Sequence, residues 1–453
     1  MNNLIKTTAI VSALVLAGMA QADNKDDKAA ATETRTVSAF SAIDLSGPFN
    51  VVVSDNGQAA LTLRGTRRQL DNIETKVENG TLVVRSLKKQ GFTINIGRTP
   101  EAATVTISAA GLQSLRAAGS GDVKIEKVHG QQFALTSNGS GDVRAEGAVT
   151  NLVVRGTGSG DMDLRALRSA SLNVQVTGPG DTHIGNVTQD VNLDASGSGD
   201  LDLHDLKVAT VNAAVHGPGT VTLRGSSREI RAEVAGSGDL EACSLTVENA
   251  SAVLRGPGNA CIAGAIKKFD AEVHGSGDLS ARGLQSNNVR VILDGPGNVD
   301  LSGTSATLSA EVSGSGDLNA KDLVVSRAVT RNRGPGNIYL KKVSDTLDAE
   351  VRGSGDLKTT TQCEKVKVTM SGPGQVLLDG TTASLDAHLT GSGNLEARHL
   401  LAKQADIQVH GPGNATVNVA GQLNAGNVRS NNAGTGNAAR VVMVDRSGVR
   451  ERN

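Results

Sequence analysis

From Gly119 to Gly411 the chain returns every nineteen or twenty residues to a tetrapeptide of the form Gly-Ser/Pro-Gly-Asp/Asn. Self-similarity at that period marks a repeat architecture in which each unit is one coil of a solenoid. A chain of 453 residues would otherwise suggest about three domains, but a stack of coils grows without dividing into separate cores.

Apolar residues keep fixed offsets from the motif. Positions two, four and six before the first glycine are apolar, and so are positions four, six and nine after it. Examples are Leu308, Ala310 and Val312 before Gly314, with Leu318, Ala320 and Leu323 after it. Period two on both sides predicts two strands per coil, each with one inward face. The glycines are expected at the corner between them, where φ above zero suits Gly, and the Asp or Asn is expected to bond its own local backbone. The fold class is therefore all-β: a single-stranded parallel β-helix, or β-solenoid, of about sixteen coils. It is right-handed by the crossover rule and roughly 75 Å long.

From Ser159 onward Ser and Pro alternate at the second motif position, and Ala232, Ala271, Ala310 and Ala349 open near-identical segments thirty-nine residues apart. The underlying unit is thus two coils, which keeps proline, lacking an N–H, from stacking on proline. Asp239, Asp278, Asp317 and Asp356 likewise alternate with Asn259, Asn298 and Asn337, diluting like-charge repulsion. The earlier column of Asp122, Asp142, Asp161, Asp181 and Asp200 lacks that dilution and is the one place where calcium would help.

Lys plus Arg number 45 against 46 Asp plus Glu, so no basic field is available for nucleic acid. Lys6, the apolar run Ala9 to Ala20 and the small-x-small site ending at Ala22 read as a signal peptide over 1–22, and no later stretch is a membrane helix. A disordered leader is expected over 23–35, N-terminal strands that start or cap the solenoid over 36–110, the repeat solenoid over 111–420, and a cap and tail over 421–453. Cys243, Cys261 and Cys363 form no disulfide framework. Cys243 and Cys261 lie one coil apart but out of register, so three isolated thiols are expected, with a single bridge as the alternative.

The opening Phe40-Ser-Ala-Ile-Asp-Leu45-Ser-Gly-Pro-Phe49-Asn-Val-Val-Val53, then Leu61-Thr-Leu-Arg-Gly65, Ile73 and Gly80-Thr-Leu-Val-Val84, followed by Gly-Ser-Gly-Asp coils, resembles the head GIN domain of auto-transporter adhesins over about 36–437. The resemblance implies an exported adhesive β-solenoid of bacterial cell envelopes, with no catalytic residues to carry over. The chain offers no set of amphipathic strands and aromatic girdles for an outer-membrane barrel, so it is not expected to translocate itself.

Coil length never departs from nineteen or twenty between Gly119 and Gly411, leaving no inserted loop from which to build a concave catalytic site. No catalytic residue, cofactor site or metal site is assigned, and the chain is read as a non-enzyme. Tyr339 is the one outward aromatic of the array, too little for sugar stacking. His216, His274 and His410 each precede a motif glycine but lie at least roughly 14 Å apart, too far to share zinc. Arg331-Asn332-Arg333, with Arg327, Lys341, Lys342 and Arg352, is either an anionic-ligand patch or a polar substitution beside a solvated charged face. The resulting expectation is an exported structural or adhesin-like protein, in the periplasm, on the surface or secreted, that meets a glycan or protein partner by repeated weak contacts. A calcium-stabilised binding module and a polysaccharide-acting enzyme are the alternatives.

Overall fold

The computed structural model describes residues 30–55, 60–87, 101–420, 440–445 and 448–452. The signal peptide expected over 1–22 lies outside the described residues. In the described part the chain is a parallel β-solenoid of about 15 turns, close to the sixteen coils expected. Among the described residues, no helix is long and apolar enough to cross a membrane.

The first strands are β1 (Ala30–Thr36), β2 (Ala42–Ser46), β3 (Asn50–Ser54) and β4 (Ala60–Thr66). The short helix α1 (Arg67–Leu70), β5 (Ile73–Glu78), β6 (Thr81–Ser86), β7 (Thr104–Ser108) and β8 (Ser114–Ala117) follow. β2 and β3 form the first coil: β2 lies parallel between β6 and β8, and β3 parallel between β7 and the start of β9 (Val123–Ser137). The antiparallel pairs β1–β4, β4–β7 and β5–β6 close this end. At the other end the strand Asn414–Val419 pairs parallel with Arg440–Asp445, which pairs antiparallel with Gly448–Arg452.

The leader expected to be disordered through Arg35 is a strand from Ala30. Its alternating Thr and charged residues suit an edge, and Arg35 fastens it by donating to the carbonyls of Ile73 (2.7 Å) and Leu70 (3.3 Å). Thr66 caps α1 in a capping box with Gln69, which drops Leu70 into the core. An exposed β1 edge carrying Glu33 and Arg35 presents a poor template for another strand.

Between the caps each coil has three inward sides, where two had been expected, and runs as one bent strand except after Gly178, where it is split into Thr182–Gly185 and Val187–Ala195. In the coil after Gly236 the buried residues are Leu240 and Ala242, then Leu245 and Val247, then Ala250, Ala252 and Leu254. Parity slips between 242 and 245 and again between 247 and 250, where the strand register shifts as at a bulge. The following coil is one residue shorter and gives its middle side a single inward residue, Ile266. It turns at Gly264, whose φ is positive. Gly147, Gly225, Gly303 and Gly380 hold the same place in their coils, and so does Asn186 at φ 58, a residue type that tolerates this region. The two-coil unit is therefore a longer coil on a shorter one. Its buried Leu, Val and Ile side chains each contribute roughly 1.5–3 kcal/mol of apolar burial.

Candidate binding surface

The motif corner is built differently from the expectation. None of the motif glycines has a positive φ. What they share is close approach between coils: a Cβ on Gly277 would lie closer than 3.0 Å to the backbone of Gly258 one coil below, and one on Gly141 would meet Gly121 in the same way. The Asp and Asn side chains likewise bond across coils and not to their own turn. Asp122 Oδ1 accepts the Asp142 N–H at 3.0 Å, Asp142 Oδ1 the Asp161 N–H at 2.9 Å, and the series runs through Asp181 and Asp200 to the Thr220 N–H. Thr220 has no carboxamide or carboxylate to pass on. A second series starts at Asp239 and runs to the Gln375 N–H, and in it the Nδ2 of Asn259, Asn298 and Asn337 adds a 3.0 Å bond to the Asp below. Each corner carboxylate thus caps a backbone donor that the turn would leave unmet.

The outward side preceding the motif is a lattice of ion pairs. Glu233, Glu272, Glu311 and Glu350 recur every second coil, facing Arg255, Arg290, Arg333 and both Arg331 and Arg352 respectively. Arg327 faces Asp345 at 2.7 Å. The arginines of the suspected anionic patch therefore already have carboxylate partners. Asn332 points the other way, into the core, where it is 1% exposed. Its Nδ2 donates to the Gly336 carbonyl at 2.7 Å, while its Oδ1 and the neighbouring Thr330 Oγ1 have no protein partner.

Tyr339 is half-buried and covered: Lys321 Nζ sits 4.1 Å from its ring centroid, a cation–π contact on a face that a sugar would use. Phe40, Phe49, Phe133 and Phe269 are all core residues. Cys243 and Cys261 form a disulfide, which corrects the expectation of three isolated thiols. Cys261 is paired in register with Glu241, so Cys243 is its diagonal neighbour on the same outward parity, with Cα atoms 5.2 Å apart. The register shift that follows Ala242 bends the strand there and brings this diagonal pair within bridging distance. Cys363 is buried, and that burial pushes its thiol up to about 11, leaving little thiolate.

The depressions on the rod are open and shallow. One of about 500 Å³ is lined by Pro48, Ser86, Ser120, Asn138, Ser140 and Ser159, and one of about 680 Å³ by Gly283, Gln285, Ser286, Thr304, Ala306 and Ser326. Neither gathers an acid–base pair. A third depression, of about 370 Å³, gathers Asp122, Lys124, Asp142, Arg144, Asp161 and Asp163, and the large carboxylate shift lies there: Arg165, forked onto both oxygens of Asp163 at 2.8 Å, holds that carboxyl at about 2. Among the described residues no group of three or more His, Cys, Asp or Glu side chains is placed to hold a metal ion. His216 and His274 face Asp194 (3.5 Å) and Asp294 (3.0 Å), while His410 lies against His388, a contact the motif-based reading of the sequence missed. The signal was present in the register, since His388 and His410 occupy neighbouring columns on successive coils.

Stacked coils with capped ends, paired outer charges and open depressions define a repetitive β-solenoid that presents its flanks. The family model described as "Putative auto-transporter adhesin, head GIN domain" matches residues 39–192, 186–283, 263–362 and 344–434, and the chain belongs to that family. Solved structures are similar at low identity. One is a "putative lipid binding protein" from Parabacteroides distasonis, 19% identical, covering 65% of this chain and 97% of that one, with a TM-score of 0.35. Another is a "putative adhesin" from Bacteroides fragilis, 19% identical, covering 65% and 98%, with a TM-score of 0.27. A second "putative adhesin" from Parabacteroides distasonis is 14% identical, covering 67% and 98%, with a TM-score of 0.31. Comparison with curated proteins gives no match.

Proposed function

We propose that this chain is an exported, non-enzymatic β-solenoid of the bacterial cell envelope that binds an external glycan or protein through many weak contacts repeated along its length. The observation that carries this reading is the repetition of the flanks. Outward residue columns recur every coil or every second coil, so any contact one unit makes is offered again about 10 Å further on. Rigid repetition of that kind converts weak contacts into avidity. Family membership supports an adhesin-like role, and the depressions of about 500 and 680 Å³ lie open to solvent and are lined by no titratable side chain.

Binding of the full chain to whole cells and glycan surfaces of graded density tests this reading. Retention should rise more steeply than in proportion to ligand density. Release of new reducing ends from any retained polysaccharide would overturn the non-enzymatic reading, and cell fractionation decides between periplasm and surface.

A further inference from the structure

Seven of the eight histidines divide into two kinds. His129, His183, His204, His216 and His274 each have a carboxylate oxygen within 4.0 Å. His388 and His410 have instead each other: their ring centroids are 5.3 Å apart and the rings are tilted by 51°. We propose that His388 and His410 form a two-imidazole surface site for a divalent late transition-metal ion, of the Cu(II) or Zn(II) type.

The backbone fixes the pair. His388 stands on the outward parity between buried Ala387 and Leu389, in register with Thr369 below and Gln408 above. His410 follows buried Val409, and its N–H donates to the Leu389 carbonyl at 2.7 Å, which locks it two residues diagonally from His388, on the same outward parity. Two imidazoles sharing one ion need their nitrogens about 2 Å from it. Tilted rings on the solvent side reach that by side-chain rotation alone.

The surroundings suit a cation. Thr369, Ser371, Thr390 and Gln408 occupy the adjoining outward positions, and the neighbouring column carries Asp386 paired in register with Asp406. The nearest cation in that column, Lys367, lies a coil below and is paired in register with Asp386. Imidazole nitrogen selects copper, nickel and zinc over calcium and magnesium, which prefer oxygen. With two protein ligands the remaining coordination positions go to water, so the ion is exchangeable.

The test is calorimetric titration of the full chain with zinc chloride, and electron paramagnetic resonance with one equivalent of Cu(II), in wild type, His388→Gln, His410→Gln and, as a control, His399→Gln. The expected result is one saturable equivalent with a two-nitrogen copper spectrum. Affinity should fall at least tenfold in either variant of the pair, stay unchanged in His399→Gln, and weaken on acidification as protons compete for the ring nitrogens. Unaltered thermal unfolding of the metal-free variants shows that the fold is not the cause. Binding that survives both substitutions, or that falls equally in His399→Gln, overturns the proposal.

Discussion

The corner ladders on either side of Thr220 do the same structural work with different chemistry. Before it, Asp122, Asp142, Asp161, Asp181 and Asp200 follow one another without relief, each passing its Oδ1 to the N–H one coil up at 2.9–3.0 Å. After it, Asn alternates with Asp and doubles each Asn-to-Asp step with an Nδ2 bond to the same oxygen. Capping the backbone donor is therefore the invariant requirement. Charge is the adjustable part, and the later coils have arranged it so that Asp278, Asp317 and Asp356 each sit between amides.

The largest effect should come from what both regions share. Ala in place of Gly141 or Gly277 drives a methyl into the backbone of the coil beneath, and no side-chain rotation relieves it. We expect each to cost about 3 kcal/mol or more in urea unfolding. Tolerance in one region alone would show that the two corners are not built alike. The next effect belongs to the later coils only. Reducing Cys243–Cys261, eighteen residues apart, should lower stability by up to about 3 kcal/mol, read as loss of protection in hydrogen exchange confined to the coils around it.

How much of this was written in the sequence follows from where each interaction reaches. Parity and the Gly-x-Gly-Asx spacing lie within one coil, so Leu240, Ala242, Leu245, Ala250, Ala252 and Leu254 were legible as core and the solenoid with them. The third side was blurred because its second inward residue is Val247 in one long coil, Ser286 in the next and absent from the short coils. The purpose of the glycines and of the Asp column was invisible because both depend on the coil twenty residues away. The cysteine bridge and the His388–His410 contact were missed for a related reason: both run diagonally, whereas the frame compared only residues at equal offset. β1 was missed because a charged edge strand has the composition of a tail.

A further effect is confined to the early coils. Asp163 is held at about 2 by Arg165, below the ordinary carboxylate value near 4. A depressed folded value contributes stability above pH 4 that is lost as pH falls toward 2. Solvent screens this outward pair, so Asp163→Asn should cost about 1 kcal/mol at pH 7 and almost nothing at pH 2, measured as urea midpoints across that range. A cost unchanged at pH 2 would locate the effect in packing and not in the ion pair.

The smallest predicted effect tests the comparison most directly. Asn298→Asp removes the Nδ2 bond to Asp278 and sets three carboxylates, at 278, 298 and 317, on successive coils about 4.8 Å apart. It should cost about 1 kcal/mol at low ionic strength. Asp161→Asn is the mirror change: it supplies the early ladder with the amide donor it lacks and separates Asp142 from Asp181, so it should stabilise by a similar amount. Salt should shrink the repulsive part of both effects, while the part due to the hydrogen bond persists at 1 M, where the screening length is about 3 Å. If Asp161→Asn destabilises, the early aspartates hold something that an amide cannot. A calcium titration of the wild-type chain would then show a rise in melting temperature that we do not expect, since each Oδ1 is already committed to a backbone N–H.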